Sequence, residues 1–433
     1  MSINLIVTIM FVSFLLLIIL RVPVSFALCF SVIPILFVES NVTPVMMLQR
    51  MMTQYGSFIL LAIPFFLLAA NLMNASGVTS RLIRLSRSIV GFLPGGLAHV
   101  NVVVSMIFAG ISGSSNAEAA GIGSIIIPAM IKEGYDKRFT VALTACSAVM
   151  GVIIPPSIMM VVWGGVMDTS VGALFLAGII PGIMIGVSQM VLVLIFSIKR
   201  RYSTTVTFSF KELKISLKQS VLALLTPIII IGGIVSGFVT PTEAALIAVL
   251  YALLLSLIVY KTISLRKLSE ILLETGMFAA IIIFAVGAAS IFGWVLAYYK
   301  IPSLVLGVIE HITDSPTLVL FIIVGIFLVV GTFLDAIPAI VIITPLLKPM
   351  AENVGINPIH FAIVGIISLA YGLITPPYGL CLLITSDIAG INCMEAMKEV
   401  GVFLLAMLLV LVLVIMFPNI SLFLPKMFYP NLF

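Results

Sequence analysis

Two short stretches interrupt long apolar sequence with residues able to hold ions: Phe108-Ala-Gly-Ile-Ser-Gly-Ser-Ser-Asn-Ala-Glu118 and Val330-Gly-Thr-Phe-Leu-Asp335. Each offers hydroxyls, glycines and one acid. Each is followed by a proline pair, Gly151-Val-Ile-Ile-Pro-Pro-Ser157 and Gly372-Leu-Ile-Thr-Pro-Pro-Tyr378. Consecutive prolines remove two N–H donors and disfavour helix at the preceding residue, so carbonyls one turn earlier lose their partners. Unwound carbonyls, with the hydroxyls of Ser112, Ser115, Thr332 and Thr375, make the neutral oxygen shell that a sodium ion accepts. A helix that starts at such a break turns free N–H groups and its positive dipole end toward the gap, which suits an anion. The positions expected to meet an anionic ligand are Ser112, Gly113, Ser114, Asn116, Ser157, Thr332 and Asp335.

The two acids have a bland reading as well. Ser115-Asn-Ala-Glu118 and Thr332-Phe-Leu-Asp335 both fit [ST]-x-x-[DE], in which the hydroxyl caps a helix and the carboxylate bonds back to the cap. Capping is the favoured expectation for Glu118 and Asp335. Ion binding or proton relay stays open, because an ionisable group at membrane depth is costly and marks function by default.

What positions these groups follows from composition. The 433 residues are 62% hydrophobic and 9% charged, whereas soluble domains are roughly 45–50% apolar and about 25% charged. The chain therefore reads as an all-α polytopic membrane protein, and long uninterrupted apolar runs exclude an outer-membrane barrel. Apolar segments are expected near 3–20, 22–38, 56–75, 97–131, 139–167, 173–198, 221–238, 243–260, 275–298, 317–347, 361–388 and 400–417. The segments at 97–131 and 317–347 are each split by a polar stretch into arms of about 13–15 residues, roughly 20 Å long. That is short enough for a re-entrant helical hairpin, since irregular backbone survives at membrane depth only when buried in protein or lining a cavity. The first run lacks a charged n-region and is expected to be a mature helix rather than a cleaved signal.

The net charge of +5 speaks of orientation, not of nucleic acid. Starting the chain outside leaves Arg50, Lys300, Lys348 and Lys426 on the outer face and the other seventeen of 21 basic residues, Arg21 among them, inside. That agrees with the positive-inside bias. Punctuation also recurs along the chain: Gly56 with Gly276, Glu118 with Asp335, Pro128 with Pro345, and Pro155-Pro156 with Pro376-Pro377. The expected organisation is two inverted-topology repeats, 1–200 and 221–433, each with a hairpin and a proline-broken helix, joined by a basic cytoplasmic connector at 201–220. Inverted repeats with broken helices are the architecture of secondary transporters.

Other polar residues read as structure. Asn71, Asn74, Trp163, Asp168 and Ser386-Asp387 are expected in interhelical packing, and Thr240-Pro-Thr-Glu243 reads as a capped scaffold helix. The four cysteines stand singly, which favours small core residues over disulfides. His99, His311 and His360 bring no second ligand, so no transition-metal site is expected.

Ile111-Ser-Gly-Ser-Ser115 with its downstream acid, Ile154-Pro-Pro-Ser157, Gly237-Phe-Val-Thr-Pro-Thr-Glu-Ala-Ala245 and Ile374-Thr-Pro-Pro377 occur in order, and together they resemble the large membrane subunit of tripartite ATP-independent periplasmic (TRAP) transporters. The resemblance covers essentially the whole chain. It implies a sodium-driven importer of small organic anions, such as sialic acids or C4-dicarboxylates, in the bacterial inner membrane with a periplasmic N-terminus. It also implies an elevator motion, a small four-helix membrane subunit and a soluble periplasmic substrate-binding protein. Carried over by position, one sodium site would use Ser112, Ser115, Gly151, Ile154 and Pro156, and the other Gly331, Thr332, Gly372, Thr375 and Tyr378. Neither partner's sequence is recognisable here, so both are expected as separate chains, with sodium as coupling ion and no other cofactor.

Two other functions compete. A stand-alone ion-coupled carrier would share the architecture without a binding protein. An intramembrane hydrolase would use Ser112, Ser114 or Ser115, but G-x-S-x-G is absent and no histidine is placed as base. The absence of G-x-x-x-x-G-K-[ST] excludes ATP drive within this chain.

Overall fold

A computed structural model describes residues 3–20, 22–39, 42–202, 207–310 and 313–433. Arg21 and His311 lie outside the described residues. The described residues form helices joined by short turns, with no strand among them. Seven helices are long and apolar enough to cross a bilayer: Phe58–Ala75, Val171–Arg200, Phe210–Val235, Pro241–Val259, Leu265–Tyr298, Pro316–Phe333 and Cys393–Met416. The chain is an integral membrane protein.

An outer group of helices forms around Leu265–Tyr298, which packs against Val24–Val38, Pro44–Tyr55 and Ala62–Ala75. Asn71 Nδ2 donates to Thr275 Oγ1 (2.9 Å), tying two of these helices by a polar contact. Pro241–Leu253 packs on Ala62–Ala75 and starts with the capping box expected of it: Thr240 N–H donates to Glu243 Oε2 (2.7 Å) while Glu243 N–H donates back to Thr240 Oγ1 (3.3 Å). Such a cap contributes about 1 kcal/mol.

The inner group holds the interrupted helices. Gly96–Ser112 is followed by Gly113 in the left-handed region (φ 64°), an extended Ser114, and the short helices Ser115–Gly121 and Gly123–Lys132. Pro316–Phe333 is followed by Leu334, Asp335 and Ala336–Asn353. Lys137–Ala148 runs through a single 3-10 turn, Val149–Val152, into a break and resumes as Ile158–Met167. Pro358–Gly372 breaks likewise and resumes as Leu380–Ala389. Both of these helices start on a side-chain cap: Asp136 accepts from the N–H groups of Arg138 and Phe139, and Asn357 from those of Ile359 and His360. Both proline pairs, Pro155-Pro156 and Pro376-Pro377, are cis.

Four expectations need correction. The interruptions are two residues long, not six to eleven, because most of the polar residues sit inside helix ends. The arms are correspondingly longer, 17 residues in Gly96–Ser112 and 18 in both Pro316–Phe333 and Ala336–Asn353. The connector expected at 201–220 is helical from Phe210 onward, where a 26-residue helix begins, while its residues 203–206 lie outside the described residues. That helix docks on Val78–Val90, where Arg84 pairs with Glu212 at 2.6 Å and Ser88 Oγ lies 2.8 Å from Ser216 Oγ. Finally, Pro44–Tyr55, Val78–Val90, Ile301–Glu310 and Asn419–Phe428 are helices that a search for uniformly apolar runs passes over.

Candidate ion and anion site at the paired helix breaks

The first break closes onto the first proline-broken helix through backbone. Ile158 N–H donates to Gly113 O (3.2 Å), and Ser115 Oγ donates to Val149 O (3.3 Å). Gly113 is required twice over: its φ is positive, and a Cβ there would lie 2.8 Å from Pro156 O. The second break repeats the contact, with Tyr378 N–H donating to Thr332 O (2.9 Å). Gly331 and Gly372 let these two elements touch backbone to backbone, since a Cβ on Gly372 would meet Gly331 Cα at 2.7 Å.

Ser112, Ser115, Gly151, Ile154 and Pro156 therefore gather at one junction, and Gly331, Thr332, Gly372, Thr375 and Tyr378 at another. Several oxygens at these junctions have no protein partner. Among the described hydrogen bonds none ends on the carbonyls of Ile154, Pro156 or Thr375. Ser112 Oγ is fully buried and likewise unpartnered. Ile154 and Thr375 are half-buried, whereas a buried orphan such as Ser112 Oγ costs stability unless a ligand satisfies it. A small cation bound among these oxygens would do so, and the donor set, all neutral carbonyls and hydroxyls, fits sodium better than a transition metal. Thr375 Oγ1 donates to Tyr371 O (2.9 Å) and Thr332 Oγ1 to Val329 O (2.7 Å), so both keep lone pairs free to accept or coordinate.

The capping expectation for the acids fails at the first break and takes another form at the second. Ser114, not Ser115, is the cap of the short helix, its Oγ accepting from Ala117 N–H (3.4 Å). Glu118 does not bond back to it. Its carboxylate is fully buried with neither oxygen hydrogen-bonded, and it lies against Gly151, where a Cβ would meet Oε2 at 2.6 Å. Ser105 is near enough to interact, but its hydroxyl donates to Ser147 Oγ (3.2 Å). Asp335 is itself the cap of Ala336–Asn353, accepting from Ala336 N–H (2.7 Å), while Thr332 belongs to the preceding helix.

The residues expected to meet an anion divide. Ser114, Asn116, Thr332 and Asp335 are partly exposed at the breaks, and Asn116 Oδ1 lies 3.5 Å from Cys381 Sγ, which brings the first break beside the second broken helix. Ser112, Gly113 and Ser157 are buried. Ser157 is occupied as a cap, donating to Val152 O (2.6 Å) and accepting from Met160 N–H (3.3 Å).

One feature went unread in the sequence. Asn101, Ser105 and Ser112 share a face of their helix, and Thr140, Thr144, Ser147 and Gly151 share a face of theirs. The two faces meet in a buried polar seam: Asn101 Nδ2 donates to Thr144 Oγ1 (2.7 Å), and Ser147 Oγ to Asn101 Oδ1 (3.5 Å). The spacings of four, three and seven were the available signal.

The homologues of this integral membrane protein are named as transporter permeases, which are not enzymes. Residues 11–420 match the family described as tripartite ATP-independent periplasmic transporter, DctM component, and the chain belongs to that family. It is 39% identical to the sialic acid TRAP transporter large permease protein SiaM of Vibrio cholerae, over 94% of this chain and 95% of that one. It is 37% identical to the C4-dicarboxylate TRAP transporter large permease protein DctM of Pseudomonas aeruginosa (85% and 86%). Identity to the 2,3-diketo-L-gulonate TRAP transporter large permease protein YiaN of Escherichia coli is 33% (92% and 94%). Membership in a tripartite family implies a small permease and a periplasmic binding protein as partners.

Proposed function

We propose that this chain imports a small organic anion by sodium symport across the bacterial inner membrane, receiving it from a periplasmic binding protein and working beside a small four-helix membrane subunit. The observation that carries the reading is the set of unpartnered oxygens at Ile154, Pro156, Thr375 and Ser112, gathered where two interrupted helices meet two proline-broken ones. Sodium bound there satisfies them, and Ser114 and Asn116, partly exposed at the first break, offer a hydroxyl and an amide as donors to an anion. Coupling follows if the sodium ions hold the breaks in the shape the anion needs, because each ligand then pays part of the other's ordering cost.

Re-entrant hairpins, inverted repeats and an elevator motion belong to the same proposal. They are supported by the like succession of caps, breaks and proline pairs at Asp136 and Asn357, Gly113 and Leu334, Pro155-Pro156 and Pro376-Pro377. The division of basic residues supports a periplasmic N-terminus. The relatives carry sialic acid, C4-dicarboxylate and 2,3-diketo-L-gulonate in their names, which supports a carboxylate as cargo. The test is uptake into proteoliposomes containing both membrane subunits. Uptake is expected only with sodium outside and the cognate binding protein present; undiminished uptake with choline replacing sodium would remove the ion sites from the account.

A further inference from the structure

A cavity of about 240 Å³ lies apart from the breaks, between Pro44–Tyr55 and Leu265–Tyr298 on one side and Ile158–Met167 and Ala336–Asn353 on the other. Its walls differ in chemistry. Arg50, Gln54, Ser290 and Trp294 face it from the outer helices, whereas Gly165 and Pro345 face it from the interrupted ones. The Arg50 guanidinium stands 5.5 Å from the Trp294 ring centroid and has no carboxylate within ion-pair distance among the described residues.

The amphipathic helix Pro44–Tyr55 explains why this arginine points there. Val45, Leu48 and Met52 are well exposed, at 71%, 57% and 58%, as lipid-facing side chains would be. The polar stripe Arg50, Thr53 and Gln54 turns instead to the cavity. Arg50 and Thr53 stay exposed where they line the cavity, so a solute can reach them directly. Both walls set a similar depth. Gly165 is seven residues beyond Ile158, and Pro345 ten residues beyond Asp335, which places the cavity roughly 10–15 Å from the breaks along each helix.

We infer that this cavity is an anion-receiving site on the outer side, where Arg50, backed by Trp294, takes the carboxylate of the cargo before it reaches the breaks. This rests on the proposed orientation and cargo class. A guanidinium grips a carboxylate through two parallel hydrogen bonds, and an aromatic face behind it holds the fork in position. The arginine belongs to the outer helices, so the anion leaves it when it passes to the interrupted ones.

Trp294 supplies a local reporter. Purified full-length protein in nanodiscs is titrated with succinate and with N-acetylneuraminate, using chloride at equal ionic strength as control, while tryptophan emission is followed. A saturable change with a carboxylate and none with chloride is expected. It should vanish in W294F, vanish in R50Q, and need about tenfold more ligand in R50K. No response to either carboxylate, or an equal response in R50Q, overturns the inference. Sodium-driven uptake by the same variants separates this from the symport reading. R50Q should raise the apparent KM about 10- to 100-fold with sodium dependence unchanged. Wild-type KM in R50Q sinks the receiving site alone, while sodium-independent uptake by the wild type sinks the symport reading.

Discussion

Gly372→Ala is the substitution that most sharply probes how the second junction is built. A Cβ at this position would meet only backbone, reaching Gly331 Cα at 2.7 Å and the Gly331 carbonyl closer still. Carbon atoms rest at about 3.5–4.0 Å, so the two elements must separate by about 1 Å. Backbone cannot rotate away as a side chain does, and overpacking of this kind costs about 1–3 kcal/mol. The functional cost should be larger than the stability cost, because Thr332 and Thr375 are held at the same junction. A misplacement of about 1 Å in a preorganised site costs on the order of 100-fold. The sodium concentration giving half-maximal uptake should rise by about that factor, while the melting temperature of the solubilised protein falls by a few degrees. Gly151→Ala is the internal comparison. Its Cβ meets the movable Glu118 carboxylate at 2.6 Å and backbone only at 3.1 Å, so the rise should be smaller. A G372A protein with wild-type sodium dependence and melting temperature would refute the close approach on which the second site depends.

Two further substitutions separate the sites. Thr375→Val deletes a hydroxyl that donates to Tyr371 O while keeping the shape; half-saturation by sodium should rise about tenfold with expression unchanged, and unaltered sodium dependence would place the second site elsewhere. Glu118→Gln keeps the volume of the buried carboxyl and removes its capacity for charge. If that carboxylate assists the cation at Gly151, sodium affinity measured by uptake should fall about tenfold without loss of folded protein, and a variant that binds sodium normally assigns Glu118 to packing.

Much of this was legible in the residues, and the misses have physical causes. Proline pairs mark backbone that cannot stay helical, so the breaks at 155–156 and 376–377 were visible without any packing information. The hairpin boundaries were not, because serine, threonine and glycine at a helix end look the same in sequence whether the last turn winds or not. Ser112 and Thr332 both proved helical. The capping pattern misled for a related reason: Ser114 and Ser115 are adjacent and either can cap, and only the extended backbone of Ser114 decides between them. Glu118 then falls one residue past the capping-box position and lies against Gly151. The missed helices escaped a search for long apolar runs because they are short, 10 to 13 residues, and because Pro44–Tyr55 and Val78–Val90 also carry polar stripes. One of them, Pro44–Tyr55, brings Arg50 to a cavity that no local motif announces.

The central claim is that a sodium gradient, not sodium as such, drives accumulation of the anion. Proteoliposomes holding the large and small membrane subunits, given the binding protein and labelled cargo, should concentrate the cargo above its outside level only while sodium is higher outside. They should stop at equilibration when sodium is equal on both sides. Accumulation above equilibration with no sodium gradient would contradict the account.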